Sequence, residues 1–190
     1  MNKEHLQSLA RDLRKTPPRS PRETLGGFVI AARMLDKARA DLLGINGEYN
    51  FYPCGLGAYF WKFTGLDAQK FKNFVATGAT DGEADAWIRE NAVVKDKLAI
   101  IRWNNEMVGL RLCDLADQVQ EYFATYIPRF CKPPSKVKFF FDVYDVEEGL
   151  GETVKRGGVD TFRGEDGARD QSEMGAVNQG HAVEQEKLFH

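Results

Sequence analysis

Apolar residues recur at helical spacing along most of the chain, and the breaks between these runs carry residues that start and stop helices. Residues 3–15 place Leu6, Leu9, Ala10 and Leu13 on one side of a short basic helix, which Thr16-Pro17-Pro18-Arg19 ends. Ser20-Pro21-Arg22-Glu23 then combines an N-cap, a first-turn proline and a capping-box glutamate. The pattern predicts a helix from there to about Leu43, with Gly44 as its stop. Gly26 and Gly27 fall in its first turns, where a missing side chain allows close packing or the close approach of another backbone or a ligand.

Residues 47–55 read as an aromatic, partly extended connector. A helix from about Leu56 to Phe63 follows and ends at Thr64-Gly65. Asp67 caps the next helix, which carries Phe71, Phe74 and Val75 and stops at Gly78; Thr80 and Glu83 form a capping box for one carrying Ala84, Trp87 and Ile88. From about Lys97 to Tyr126, the residues Ile101, Asn105, Val108, Leu112, Leu115, Val119, Tyr122 and Tyr126 alternate by four and three. That spacing predicts one long helix, the stave of a bundle or the seam of a homodimer, with Pro128 beyond its end. The aromatic run at residues 137–146 fits a helix or a strand. From Gly149 onward glycine and charge dominate, and Leu188-Phe189 is a candidate anchor. The predicted fold is mainly α: a single-domain helical bundle with an aromatic connector and an extended C-terminal tail. Its parts are an N-terminal helical segment (1–15), a helical core domain (16–148) and a polar tail (149–190).

Composition narrows the function classes. The chain has 190 residues, 43% hydrophobic and 28% charged, which suits one soluble domain. A net charge of -2 supplies no global field for nucleic acid. No stretch approaches the roughly 20 apolar residues of a membrane span, and the N-terminus lacks a signal-peptide core. The cysteines, Cys54, Cys113 and Cys131, are odd in number and form no CxxC pair, as expected of a reduced, cytoplasmic protein. The histidines are His5, His181 and His190, so the body of the chain has none. This disfavours serine–histidine, cysteine–histidine and histidine–metal chemistry and leaves carboxylates, Arg, Lys, Tyr and Cys. Phosphate-loop and dinucleotide motifs are missing. Asp114, Asp117 and Glu121 read as a solvated acidic face rather than metal ligands. No cofactor or metal is predicted, and no motif decides whether the protein is an enzyme.

The residues that break their local rule are the candidates for a site. On the helix ending near Leu43, Asp36 and Arg39 share a face with Leu25, Phe28, Val29, Ala32, Leu35 and Leu43. They are either a buried ion pair that fixes the helix or part of a pocket. In the pocket reading Arg39, with Arg33 and Lys37, clamps an anion, and Asp36 orients it or accepts a proton. Cys54, just before a helix, is either an inert packed thiol or one whose pKa the helix N-terminus lowers. Cys113 and Cys131 read as packing. Asn105 stands at a stripe position as a register-setting polar residue or a pocket amide. Tyr49, Phe51, Tyr52, Tyr59, Phe60 and Trp61 form either core or an aromatic box. Arg33, Lys37, Arg39, Tyr49, Phe51, Cys54 and Trp61 are thus the candidate ligand-binding residues, and Asp36 the candidate catalytic one.

Several of these strings together resemble a known family. They are Ser20-Pro21-Arg22-Glu23 with Gly26-Gly27, Arg33-Met34-Leu35-Asp36-Lys37-Ala38-Arg39-Ala40, Gly47-Glu48-Tyr49, Phe63-Thr64-Gly65, Val75-Ala76-Thr77-Gly78-Ala79-Thr80-Asp81 and Trp87. Over residues 16–148 the chain resembles a bacterial family of uncharacterised proteins, the domain-of-unknown-function family 5069. The resemblance implies that the charged helix belongs to the core pattern, and it supplies no reaction, cofactor or catalytic residue. The functional expectation is a helical domain that binds, and can act on, a small anionic or polar ligand between the Asp36/Arg39 helix and the aromatic connector. The alternative is a homodimeric interaction protein that uses its long helix and charged tail.

Overall fold

The computed structural model describes residues 3–150. Among these the chain forms eight α-helices and no strand, so the fold is mainly α; the only β-type pairings are isolated bridges, Leu25–Phe28 and Arg111–Phe139. Residues 151–190, with nearly all of the predicted tail and its Leu188-Phe189 pair, lie outside the described residues. No described helix is long and apolar enough to cross a membrane.

Helix α2 (Ala31–Leu43) lies at the centre, and every residue from Ala31 to Ala40 is buried. A helix buried all round is normally apolar all round. This one carries Arg33, Asp36, Lys37 and Arg39, each at most 5% exposed. Each therefore needs an internal partner, and those partners define the two polar clusters described below. One hydrophobic core surrounds α2, drawing Leu6 from α1 (Lys3–Leu9), Phe60 and Trp61 from α3 (Gly55–Thr64), Phe71 from α4 (Ala68–Val75) and Ile88 from α5 (Asp81–Asn91). It continues through Trp103 of α6 (Lys97–Gly109), Phe123 of α7 (Asp117–Phe130) and Phe140 of α8 (Phe140–Glu147). Edge-on and stacked rings fill it: Phe28 meets Phe60, Phe63 and Trp103, and Phe63 stacks on Trp103 at 4.5 Å.

Where a helix end is written in adjacent residues, the sequence pattern holds. Asp67 accepts the Lys70 amide at 2.7 Å, and Gly44 and Gly65 close α2 and α3 in the left-handed region. Thr80 and Glu83 make both bonds of their capping box, at 3.3 and 2.8 Å. Residues 137–146 resolve as the approach to α8 and most of that helix.

Four expectations are corrected. The first helix stops at Leu9, because Asp12 draws the next backbone into a turn that receives the Lys15 and Thr16 amides. The helix expected from Ser20 begins only at Ala31. Residues 19–30 form a strap instead, and Ser20 donates its hydroxyl to Asp145 at 2.7 Å rather than capping a helix. Gly26 and Gly27 have φ of 63° and 90° within a tight turn that Leu25 and Phe28 close through reciprocal amide–carbonyl bonds. A Cβ on Gly26 would stand 2.4 Å from Ile88, so the bare backbone is what lets α5 pack there. Asp85 holds the Gly26 amide, and Asn104 holds both Gly27 and Val29.

The third correction is the long helix, which is two. After α6 the Leu110 carbonyl accepts the Phe140 amide at 2.8 Å, a 3₁₀ turn follows at Leu112–Asp114, and α7 starts at Asp117. The predicted stripe therefore bends: Leu115, Val119 and Tyr126 are buried, whereas Ile101 is 54% exposed and Asn105 is exposed. Asn104, its neighbour, is the amide that faces inward. Pro128 sits inside α7, near its end, rather than beyond it. Finally, Cys113 is exposed rather than packed, whereas Cys131 is buried with its thiol directed at the Val143 carbonyl.

Candidate functional site

At about 100° per residue, α2 sends Asp36 and Arg39 to one flank and Arg33 and Lys37 to another. On the first flank every charge has a close partner. Arg19, from the strap, gives Asp36 its backbone amide at 2.9 Å, Nε at 3.0 Å and Nη2 at 2.7 Å. It also reaches Asp81 at 2.6 Å, and Asp81 in turn binds Arg39 at 2.7 Å. Arg39 completes the set on the Ala79 carbonyl. This network ties the strap, α2 and the start of α5 together, and it occupies the Asp36 carboxylate with guanidinium and amide donors.

The second flank is composed differently. Arg33 is paired with Glu148, both side chains at most 5% exposed, and its guanidinium lies over the rings of Tyr49 at 5.6 Å and Tyr144 at 5.2 Å. One turn further on, Lys37 is buried, and among the described residues no carboxylate stands within ion-pair distance of it, although Glu148 is near enough to attract its charge. Its hydrogen-bond partner is the thiol of Cys54, with Nζ to Sγ at 3.1 Å. A buried ammonium is normally paired with an anion; here the group offered to it is one that becomes an anion by losing a proton.

The connector and α3 place that thiol. After the Tyr52–Pro53 peptide, which is cis, Cys54 takes the extended N-cap position of α3, and its sulfur accepts the Gly57 amide at 3.4 Å. A Cβ on Gly57 would lie 2.6 Å from the Met34 sulfur, 3.2 Å from Trp61 Nε1 and 3.5 Å from the Cys54 Cβ. Glycine is what lets these groups converge. Burial alone pushes the Cys54 thiol up, but Lys37, the Gly57 amide and Arg33 outweigh it and hold the thiol below its ordinary value. Burial, aided by Arg33, pulls the Lys37 ammonium down, against the attraction of Cys54. Both groups are thus more acidic than usual, and they face one another across 3.1 Å.

A carboxylate group borders the pair. Tyr126 donates to Glu147 at 2.5 Å, and Glu148 lies close enough to raise the proton affinity of both Glu147 and Glu48. Burial pushes Glu147 up to about 7 against the Tyr126 hydrogen bond, with Glu148 and Glu48 adding to it. An acid whose pKa rises on folding stabilises the fold fully below its unfolded value and loses that contribution as pH climbs through the folded one. Urea unfolding is therefore expected to give a stability higher at pH 5 than at pH 8 by about 1–3 kcal/mol. Glu147→Gln should flatten that slope; an unchanged slope would assign it to other groups.

Of the residues singled out from sequence, the structure brings Arg33, Lys37, Tyr49 and Cys54 into one cluster and puts Asp36 and Arg39 in the other. Phe51 and Trp61 meet edge-on at 5.8 Å and, with Tyr52, Leu66, Asp67 and Lys72, line a cleft of about 370 Å³. Trp61 belongs to both regions: its ring walls the cleft, and its Nε1, buried and without a hydrogen-bond partner, lies beside Gly57. Sequence reasoning missed Arg19, Tyr126, Tyr144, Glu147 and Glu148. The usable signal was Glu147-Glu148 directly behind the aromatic run, a pair of carboxylates with no local cation. Among the described residues no group of three or more His, Cys, Asp or Glu is placed to hold a metal ion.

Both clusters lie inside a span that a family model recognises. The model is that of a domain of unknown function (DUF5069), and it matches residues 15–150. The chain belongs to the DUF5069 family. No curated protein matches it. The DUF5069 span opens just before the strap that carries Arg19 and closes just after Glu148, so it contains the whole of both polar clusters.

Proposed function

We propose that this protein binds a small polar or anionic molecule at the cluster of Arg33, Lys37, Tyr49 and Cys54 and acts on it through the Cys54 thiolate. The observation that carries this reading is the Lys37–Cys54 contact: a lysine 5% exposed whose hydrogen-bond partner is a thiol. A structural lysine in such a place would be matched by a carboxylate, as Arg33, Arg39 and Arg19 are. Perturbed, mutually dependent ionisable groups are characteristic of reactive sites.

In this reading Lys37 holds Cys54 as a thiolate beside the first turn of α3, whose leading amides face a developing negative charge. Sulfur attacks an electrophilic carbon, and the Lys37 ammonium returns a proton to the departing group. Arg33 Nε and Trp61 Nε1, both buried and unpaired, are donors available to a ligand. The reduced thiol suits a cytoplasmic setting.

The test is alkylation of the full chain by iodoacetamide across pH, followed residue by residue by mass spectrometry. Burial slows any reagent, so the midpoint of the pH profile is the readout rather than the rate alone. Cys54 should titrate below the same residue in the urea-unfolded chain. Lys37→Met should move the midpoint up and slow the reaction at pH 7 by about tenfold. A Cys54 midpoint at or above that of the unfolded chain would end the proposal.

A further inference from the structure

The nucleophile nearest to the Cys54 sulfur is an amine, not a second thiol. Lys37 Nζ lies 3.1 Å from Sγ, the Gly57 amide nitrogen lies at 3.4 Å, and both Cys113 and Cys131 are free and make their contacts elsewhere. Lys37 is held there by its burial in the middle of α2, and Cys54 by its place as the N-cap of α3. Cys54 as a residue is partly exposed.

We infer that Lys37 and Cys54 form an oxidative modification site at which a hydroperoxide closes a reversible sulfur–nitrogen cross-link between α2 and the start of α3. This deepens the reading of Cys54 as a thiolate and depends on it. In the first step the thiolate attacks one oxygen of hydrogen peroxide. The O–O bond breaks, hydroxide leaves and takes the Lys37 ammonium proton to become water, and sulfur, oxidised by two electrons, becomes sulfenic acid while Lys37 is left as a neutral amine. In the second step the neutral Lys37 amine attacks that sulfur. The S–O bond breaks, the nitrogen gives up a proton, and a second water leaves behind a sulfenamide. One peroxide is consumed, and the protein has lost two hydrogens in all.

Geometry selects the amine. A sulfenic acid condenses with whichever nucleophile reaches it first, usually a thiol or a backbone nitrogen. No thiol is in contact, and the Gly57 nitrogen is an amide whose lone pair is delocalised and whose hydrogen already points at the sulfur. A lysine amine left neutral by the first step is a stronger nucleophile than an amide, and Lys37 is the closer of the two. The link would remove the thiolate and the one lysine charge of the cluster together. A thiol reductant would restore both by attack on the sulfur.

The experiment treats the full chain with one equivalent of hydrogen peroxide at pH 7 and maps tryptic peptides with and without dithiothreitol. The expected result is a joined pair of peptides, one containing Lys37 and one Cys54. Its mass is the sum of the two less two hydrogens, with Lys37 protected from trypsin, and dithiothreitol reverses it. Lys37→Arg keeps a cation but supplies no nucleophilic amine, so it should leave a sulfenic acid that dimedone traps. Loss of two hydrogens within the Cys54 peptide alone would place the bond on a backbone nitrogen and overturn the proposal. A joined pair heavier by one oxygen would overturn the direct S–N bond. Fast alkylation together with only sulfenic or sulfinic acid would overturn the cross-link and leave the nucleophile reading standing. A Cys54 inert to both reagents would remove both.

Discussion

Arg33→Met is expected to cost about 3–5 kcal/mol of stability, because it strands Glu148 as a buried carboxylate without its cation. The Glu148 side chain is 5% exposed and sits at the end of α8, where its partner is the Arg33 guanidinium. Arg33 also covers the rings of Tyr49 and Tyr144 and donates to the Arg19 carbonyl at 3.1 Å. It thereby joins α2 to the connector, to α8 and to the strap. A loss of this size is a large share of the 5–15 kcal/mol typical of a domain, so the variant should unfold at a much lower urea concentration. Removing the stranded charge is the control. Arg33→Met with Glu148→Leu should recover most of the loss, since replacing both members of a buried pair by apolar groups is often neutral. If the double variant is as unstable as the single one, the cost lies in lost packing over the tyrosines and not in the ion pair.

The site was partly visible in the sequence, and the limit has a physical origin. Four charges in the otherwise apolar run Ala31–Ala40 mark α2 as unusual, and this needs only helical periodicity. Which of the four share a partner depends on segments far along the chain: Arg19 meets Asp36, Asp81 meets Arg39, Glu148 meets Arg33 and Cys54 meets Lys37. No local rule supplies those pairings. The same division explains the fold. Caps at Asp67 and Thr80 are decided by neighbours within one turn and were legible. Ser20 to Gly27 has the local signature of a helix start, yet long-range contacts with Asp85, Ile88 and Asn104 hold it as a strap. The apparent long helix breaks at Leu110 for the same reason, since its carbonyl is claimed by Phe140. Tertiary partners override local preference where the backbone bonds to something distant.

Arg19→Met should be nearly as damaging, again by about 3–5 kcal/mol, although Arg19 lies on a strap and not in a helix. Its side chain is 14% exposed and its guanidinium makes four hydrogen bonds to Asp36 and Asp81, and the Asp36 side chain is 4% exposed. With the guanidinium gone, Asp36 keeps the Arg19 backbone amide and a contact with the half-exposed Arg11 at 3.8 Å, too little for a buried carboxylate. Asp36→Leu placed on top of Arg19→Met removes the stranded charge and should return much of the stability. A double-mutant cycle in urea would then give a coupling of a few kcal/mol. The cycle also separates the two flanks of α2. These variants should lower stability while leaving the pH midpoint of Cys54 alkylation where it was in the chain that remains folded, because Arg19 and Asp36 do not touch the thiol. A Cys54 midpoint that moved with Arg19→Met would join the two clusters into one electrostatic unit, and a stability loss below about 1 kcal/mol would place the Arg19–Asp36 pair with exposed surface pairs and return Asp36 to the set of groups free to react.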